Sequence, residues 1–282
     1  MEITYQNLGP MSDNKDRAKR QAQRIGIKNT IGSIEKMYDL ALGVLPYKMK
    51  TGEKTSRTEI VRRAMGKDYP DSVIGISEAV DNVVGSWDEL LDQNLGKPER
   101  LAYIATQVFR FGQLVGNDLK LNRKQRNIIG NYADKLMVLG SAEVSYNTLV
   151  SESKKEENVL KHAKSFYRAK SLVNDVFVEL PLVELGYDMR KKESKDMVEV
   201  GRKNRSVGMI RKDIDDIQDD IKNNTRTPFT VLKQKGKKMR IHGRKLANEF
   251  LEELNEYKFI DKRLQRFKKN FYEMSKEEIK RI

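Results

Sequence analysis

The chain has 282 residues, 38% of them hydrophobic and 34% charged, with a formal net charge of +14. This balance is too apolar for a disordered chain, and the scarcity of proline (6 residues) beside plentiful Lys, Glu, Leu and Arg favours helices. There is no cysteine, which excludes disulfides, thiolate metal sites and cysteine nucleophiles, and two histidines, His162 and His242, are too few for a histidine-rich zinc site.

The positive charge admits three kinds of partner: a polyanion, an anionic membrane surface or a phosphorylated substrate. The first residues, Met1 to Tyr5, lack the basic flank and apolar run of a signal peptide. No stretch approaches the roughly 18 apolar residues of a membrane span. A cytoplasmic protein is the expectation.

Apolar residues recur at helical spacing along the chain. Ile31, Ile34, Met37, Leu40 and Leu42 form a first stripe. Ile74, Ile76, Val80, Val83 and Val84 form a second, which runs into Leu90 and Leu91, and Leu101, Ile104, Val108, Phe111 and Val115 form a third. The pattern continues over 128–139, 159–182, 198–217 and 246–259, and nowhere becomes the two-residue alternation of a strand. The breaks are short: Gly52, 66–70, 96–98, 117–122, 151–157, 187–193 and 223–228. Breaks of this length suit loops between packed helices, so an all-α, single-domain chain is expected over 1–282, with residues up to about 16 a loose terminus. The aromatic residues from Phe250 to Tyr272 are expected in the core, and His162 and His242 on the surface or between helices.

Two acidic segments stand out. In Asp213-Ile214-Asp215-Asp216-Ile217-Gln218-Asp219-Asp220, helical spacing puts Asp215 and Asp219 on one face, as it does Asp216 with Asp219 and with Asp220. Like charges so placed weaken a helix unless something neutralises them, either a cation or neighbouring Lys and Arg. Carboxylate oxygens suit magnesium, which binds through few protein groups together with phosphates. In Trp87-Asp88-Glu89-Leu90-Leu91-Asp92, Asp88 and Asp92 again lie one turn apart. Two such faces, each at the end of an apolar helix, are suited to hold cations around one diphosphate.

At these residues the chain resembles the trans-prenyl diphosphate synthases, or polyprenyl synthetases. That family's second motif reads Gly-x-x-Phe-Gln-x-x-Asp-Asp-x-x-Asp, and Gly208 to Asp219 keeps the glycine and all three aspartates at that spacing. Its first motif, followed by Gly-Lys-Pro, is similar to Asp88 to Asp92 followed by Gly96-Lys97-Pro98. Three further elements fall in order: Gly52-Glu53-Lys54-Thr55-Ser56-Arg57, Lys170-Ser171 and Arg226-Thr227-Pro228. The chain departs from the pattern at Glu89, at Asp81 where the family has a histidine, at Arg211-Lys212 where it has Phe-Gln, and in the shortened Gln93-Asn94-Leu95 loop without the family's two arginines.

The resemblance implies an isoprenoid-synthase-type helical bundle around a central cavity, a homodimer, and a prenyltransferase that condenses isopentenyl diphosphate with an allylic diphosphate by metal-assisted ionisation. Asp88, Asp92, Asp215, Asp216 and Asp219 would bind Mg2+, with Lys170 on the allylic diphosphate. Lys54 and Arg57 would hold the diphosphate of isopentenyl diphosphate, and Lys212, whose neighbours are metal ligands, would also bind substrate. Val83 and Val84 would set the chain length, and product release would involve peripheral contact with a membrane. Three other readings stand beside this one. They are a catalytically weak or inactive homologue that serves as a binding or regulatory subunit, a terpene-cyclase-like enzyme, and, ranked last, a nucleic-acid-binding protein using the basic run Lys233 to Arg244.

Overall fold

The computed structural model describes residues 57–91 and 121–282. Every regular element among them is helical, as expected, and ten α-helices are numbered here in chain order. They are α1 (Arg57–Met65), α2 (Ile74–Leu91), α3 (Arg123–Glu152), α4 (Glu156–Lys170), α5 (Asp175–Glu184), α6 (Lys192–Asp215), α7 (Ile217–Lys222), α8 (Pro228–Gln234), α9 (Met239–Glu256) and α10 (Lys262–Arg281). Among the described residues no helix is long and apolar enough to cross a membrane. The described residues divide between two compact units, one holding 78–91 and the other 57–77 with 121–282. Ala79, Val80 and Val84 are buried in the first. The second unit carries the rest of the description.

Local chemistry sets the helix starts. Asn122 caps α3 by accepting from Gln125 N–H at 3.0 Å, while the Gln125 side chain accepts from Asn122 N–H at 2.9 Å. Thr227 caps α8 in the same reciprocal way with Thr230, and Pro228 stands at the first helical position. Asp261 caps α10 by accepting from the N–H groups of Arg263 and Leu264. The apolar stretch 159–182 is not one helix: a 3-10 turn, Ser171–Asn174, separates α4 from α5.

The second unit is organised around α6. It packs against α9 and α10 on one side and against α4, α5 and the 3-10 turn on the other, while α3 runs along α4 and α1 rests on α10. The core joins Phe166 and Tyr167 of α4, Val207, Ile210 and Ile214 of α6, Phe229 of α8, and Leu246, Ala247 and Phe250 of α9. Phe267 and Phe271 are buried as well, in line with the expectation for the aromatic residues, while Tyr257 and Tyr272 are only partly covered.

The central helix is polar for its position, and Lys203, Asn204, Ser206 and Asp213, all buried on it, each have a partner from another helix. Asn204 donates to Phe271 O at 3.2 Å and to Ser275 Oγ at 2.9 Å, and Ser206 donates to Tyr167 O at 3.2 Å. Tyr167 OH donates to the buried carboxylate of Asp213 at 2.7 Å. These bonds offset the desolvation that a buried unpaired group would suffer. Close approach of α6 to its neighbours depends on two glycines. A Cβ on Gly201 would lie 2.7 Å from Val178 Cγ2, and one on Gly243 would lie 2.1 Å from Ile214 Cδ1.

Candidate functional site

The acidic segment lies where α6 ends. The helix stops at Asp215, and Asp216 (φ −83°, ψ 0°) separates it from the short α7 that carries Asp219. Asp216 N–H still donates to Lys212 O at 2.9 Å, and Asp220 N–H donates to Asp216 O at 2.8 Å. The single helical face that spacing assigns to Asp215, Asp216 and Asp219 is therefore interrupted. The physical reason is local. Aspartate is a poor helix former, and carboxylates in the last turn oppose the negative end of the helix dipole.

Neutralisation comes from the chain itself. Arg211 Nη1 reaches Asp215 Oδ2 at 2.5 Å and its Nε pairs with Glu278, while Lys212 Nζ lies 3.6 Å from Asp216 Oδ2. Asp215 and Asp216 are half-exposed, with side-chain exposures of 37% and 46%, so these are surface pairs of low individual strength. Arg211 and Lys212, one turn before Asp215 and Asp216, are the residues that supply the counter-charge. Among the described residues no three His, Asp or Glu side chains are grouped to hold a cation.

A surface cleft of about 430 Å³ opens beside this segment. Asp215 and Gln218 line one side, and Lys233, Lys237, Met239 and Arg240 line the other. Gly243 helps form it by letting α9 close onto Ile214, the residue before Asp215. Lys237 Nζ is 3.2 Å from Glu156 Oε2, Arg240 Nη1 donates to Ile282 O at 2.7 Å, and Lys233 has no ion-pair partner among the described residues. The cleft also meets the start of α9, whose N-cap residue Lys238 makes no side-chain cap. The first N–H groups of a helix have no partner within it and carry partial positive charge, which favours an anion there.

The other expected site residues fall elsewhere. Lys170 ends α4, with its ammonium 5.6 Å from the Phe166 ring centroid, and Arg57 begins α1; neither lines the cleft, nor does Lys212. Lys54 and Asp92 lie outside the described residues, as do the side chains of Val83 and Asp88, whose backbones belong to α2. Val84 is buried. Gly208, the glycine of the second motif, has open space where a side chain would begin. Thr227-Pro228 is accounted for by its role in starting α8.

Sequence reasoning gave no sign of the main ionic network. Asp175, fully buried at the start of α5, receives Arg202 through Nε at 2.6 Å and Nη2 at 2.5 Å, and Lys135 at 2.5 Å. Lys135 also holds Glu179 at 3.0 Å. Arg202 pairs with Glu199, Lys203 binds Glu253 at 3.0 Å, and Glu253 accepts Lys164 at 2.9 Å and Arg168 at 2.5 Å. Burial pushes the Glu179 carboxyl above its ordinary value, against the pull of Lys135. Burial alone would lower Lys135, but the Asp175 and Glu179 carboxylates outweigh it and raise the ammonium. Every charge here has an opposite partner, and for all but Glu199 that partner comes from another helix, which is the arrangement of a structural network.

Comparison of the chain with family models, with curated proteins and with solved structures finds no match.

Proposed function

We propose that the cleft beside Asp215 binds a diphosphate-bearing ligand, and that the chain is a helical binding protein for it. The observation behind this reading is the convergence of Lys233, Lys237, Arg240 and the start of α9 on one cleft, with Asp215 as its single lining carboxylate. Asp215 is already held by Arg211 and Lys237 leans on Glu156, while Lys233 pairs with no carboxylate among the described residues and Arg240 donates to a main-chain oxygen, so the cleft presents net positive charge. Arginine and lysine there supply forked and point-charge contacts to phosphate oxygens, and no bridging metal is required. Titration calorimetry with inorganic diphosphate tests it. Saturable binding without added magnesium, at least tenfold weaker in Lys233→Gln/Lys237→Gln, is the expected result. Binding that is absent, or unchanged in that variant, overturns the reading.

A second reading is favoured by Asp215 sharing the cleft with these cations: prenyl transfer between isopentenyl diphosphate and an allylic diphosphate. In that case Arg211 and Lys212 would have to yield Asp215 and Asp216 to the metal. Incubation with both diphosphates and magnesium separates the two readings. Release of diphosphate that Asp215→Ala abolishes selects the enzyme, and its absence over several allylic chain lengths selects the binding protein.

A further inference from the structure

The turn between α9 and α10 holds a second cationic cavity of about 370 Å³. Lys262, Arg266, Lys268 and Lys269 line it together with Asn255 and Tyr272, and no carboxylate does. Of these cations Lys268 is the buried one, at 8% exposure. The ammonium donates to Asn255 O at 3.2 Å and Asn255 Oδ1 at 3.0 Å, both neutral acceptors, and an ammonium has three N–H donors. Among the described residues no carboxylate pairs with Lys268, Lys262 or Lys269, while Arg266 is held by Asp68.

The rest of the unit shows how unusual this is. Lys203 is buried to the same degree, at 9%, and has Glu253 at 3.0 Å; Arg202 and Lys135 share Asp175. Lys268 alone among these cations has only neutral partners. Burial, aided by the nearby Lys258, accordingly pulls its ammonium below the ordinary value. A buried cation without a counter-charge costs stability unless an anion arrives.

We propose that this cavity is a binding site for a small, multiply charged phosphate anion, such as an oligophosphate or a phosphorylated metabolite, with Lys268 as its anchor. Three lysines without carboxylate partners call for more than one negative charge, and lysine meets phosphate as a mobile point charge. The position is distinct from the Asp215 cleft. It lies at the opposite end of α9, about 22 Å along the axis from Arg240 to Asn255 at the α-helical rise.

Inorganic tripolyphosphate is the probe, titrated by calorimetry at an ionic strength of about 0.15 M. The background is Lys233→Gln/Lys237→Gln, which removes the first cleft and keeps the two readings separable. One saturable site is expected there, weakened at least tenfold by Lys268→Met. The melting temperature adds a readout that a purely structural lysine would move the other way. Without the anion, Lys268→Met melts higher than its parent, because the unpaired charge is gone, and tripolyphosphate no longer raises it. If Lys268→Met does not fold, the exposed pair Lys262→Gln/Lys269→Gln decides by the same tenfold criterion. No binding in the background, or affinity unaltered by the variant that decides, overturns the proposal.

Discussion

Two carboxylate sites of the second unit, Asp175 at the start of α5 and Asp215 at the end of α6, behave differently. At Asp175 the carboxylate is fully buried and its cations arrive from α3 and α6, 40 and 27 residues away in the chain. At Asp215 the carboxylates are half-exposed and are neutralised from four residues earlier on the same helix. A buried carboxylate must be met by groups that folding brings to it, since the surrounding medium screens little. An exposed one is satisfied by water and by whatever lies one turn away. The conspicuous acidic motif therefore marks the weaker electrostatic site, and the inconspicuous single aspartate marks the stronger one.

The largest expected effect comes from breaking the buried side of this contrast. Arg202→Met leaves Asp175 with Lys135 alone and should cost about 3 kcal/mol or more of stability by urea unfolding. A loss below about 1 kcal/mol would equate the two clusters and remove the contrast. The next test compares two glycines seven residues apart on α6. Gly201→Ala drives a methyl against Val178 Cγ2, where α5 and α6 bring Asp175 and Arg202 together, and should destabilise by about 1–3 kcal/mol. Gly208→Ala meets open space and should stabilise by about 0.5–1 kcal/mol through helix propensity. A loss on Gly208→Ala would show that the motif glycine serves something other than the helix.

The margin of the network should also be visible in alkali. Burial, with Glu199, Asp196 and Glu253 nearby, pushes the Tyr257 phenol up to about 12 from its ordinary 10.0. Between those values the folded protein keeps a proton that the unfolded chain releases, so stability falls as pH rises through the window. Denaturation midpoints measured from pH 9 upward should drop less steeply in Tyr257→Phe than in the parent, and identical slopes would take Tyr257 out of the network. The smallest effect is expected at Asp215→Ala. Losing an exposed pair on one helix should change stability by less than about 0.5 kcal/mol, and a larger loss would mean that Asp215 supports the fold.

Helix class and most breaks were legible because they depend on residues close in sequence. The periodicity over 198–217 and the break at 223–228 reappear as α6 and the α7–α8 connection, and Thr227-Pro228 starts α8 by a local cap. The 3-10 turn at Ser171–Asn174 was not legible, because the apolar pattern runs through it without a proline or glycine. Nor was the centrality of α6. Its Arg202, Lys203, Asn204, Ser206 and Asp213 carry no sign in the sequence of where they point, yet each is bonded to another helix.

The candidate sites divide in the same way. Spacing pointed to Asp215, Asp216 and Asp219, and the basic run Lys233 to Arg244 was visible as charge, but nothing in the sequence joined the two. By itself the sequence determined an all-helical chain without disulfides, strong positive charge, and a cation one turn before each of Asp215 and Asp216. Those properties follow from composition and from neighbours within a helical turn. Only the tertiary structure decided that Lys233, Lys237 and Arg240 border Asp215, that Asp175 is buried between Arg202 and Lys135, and that Lys268 is buried with neutral partners only. Burial and long-range pairing depend on how helices pack, and packing is a property of the whole core rather than of any local pattern.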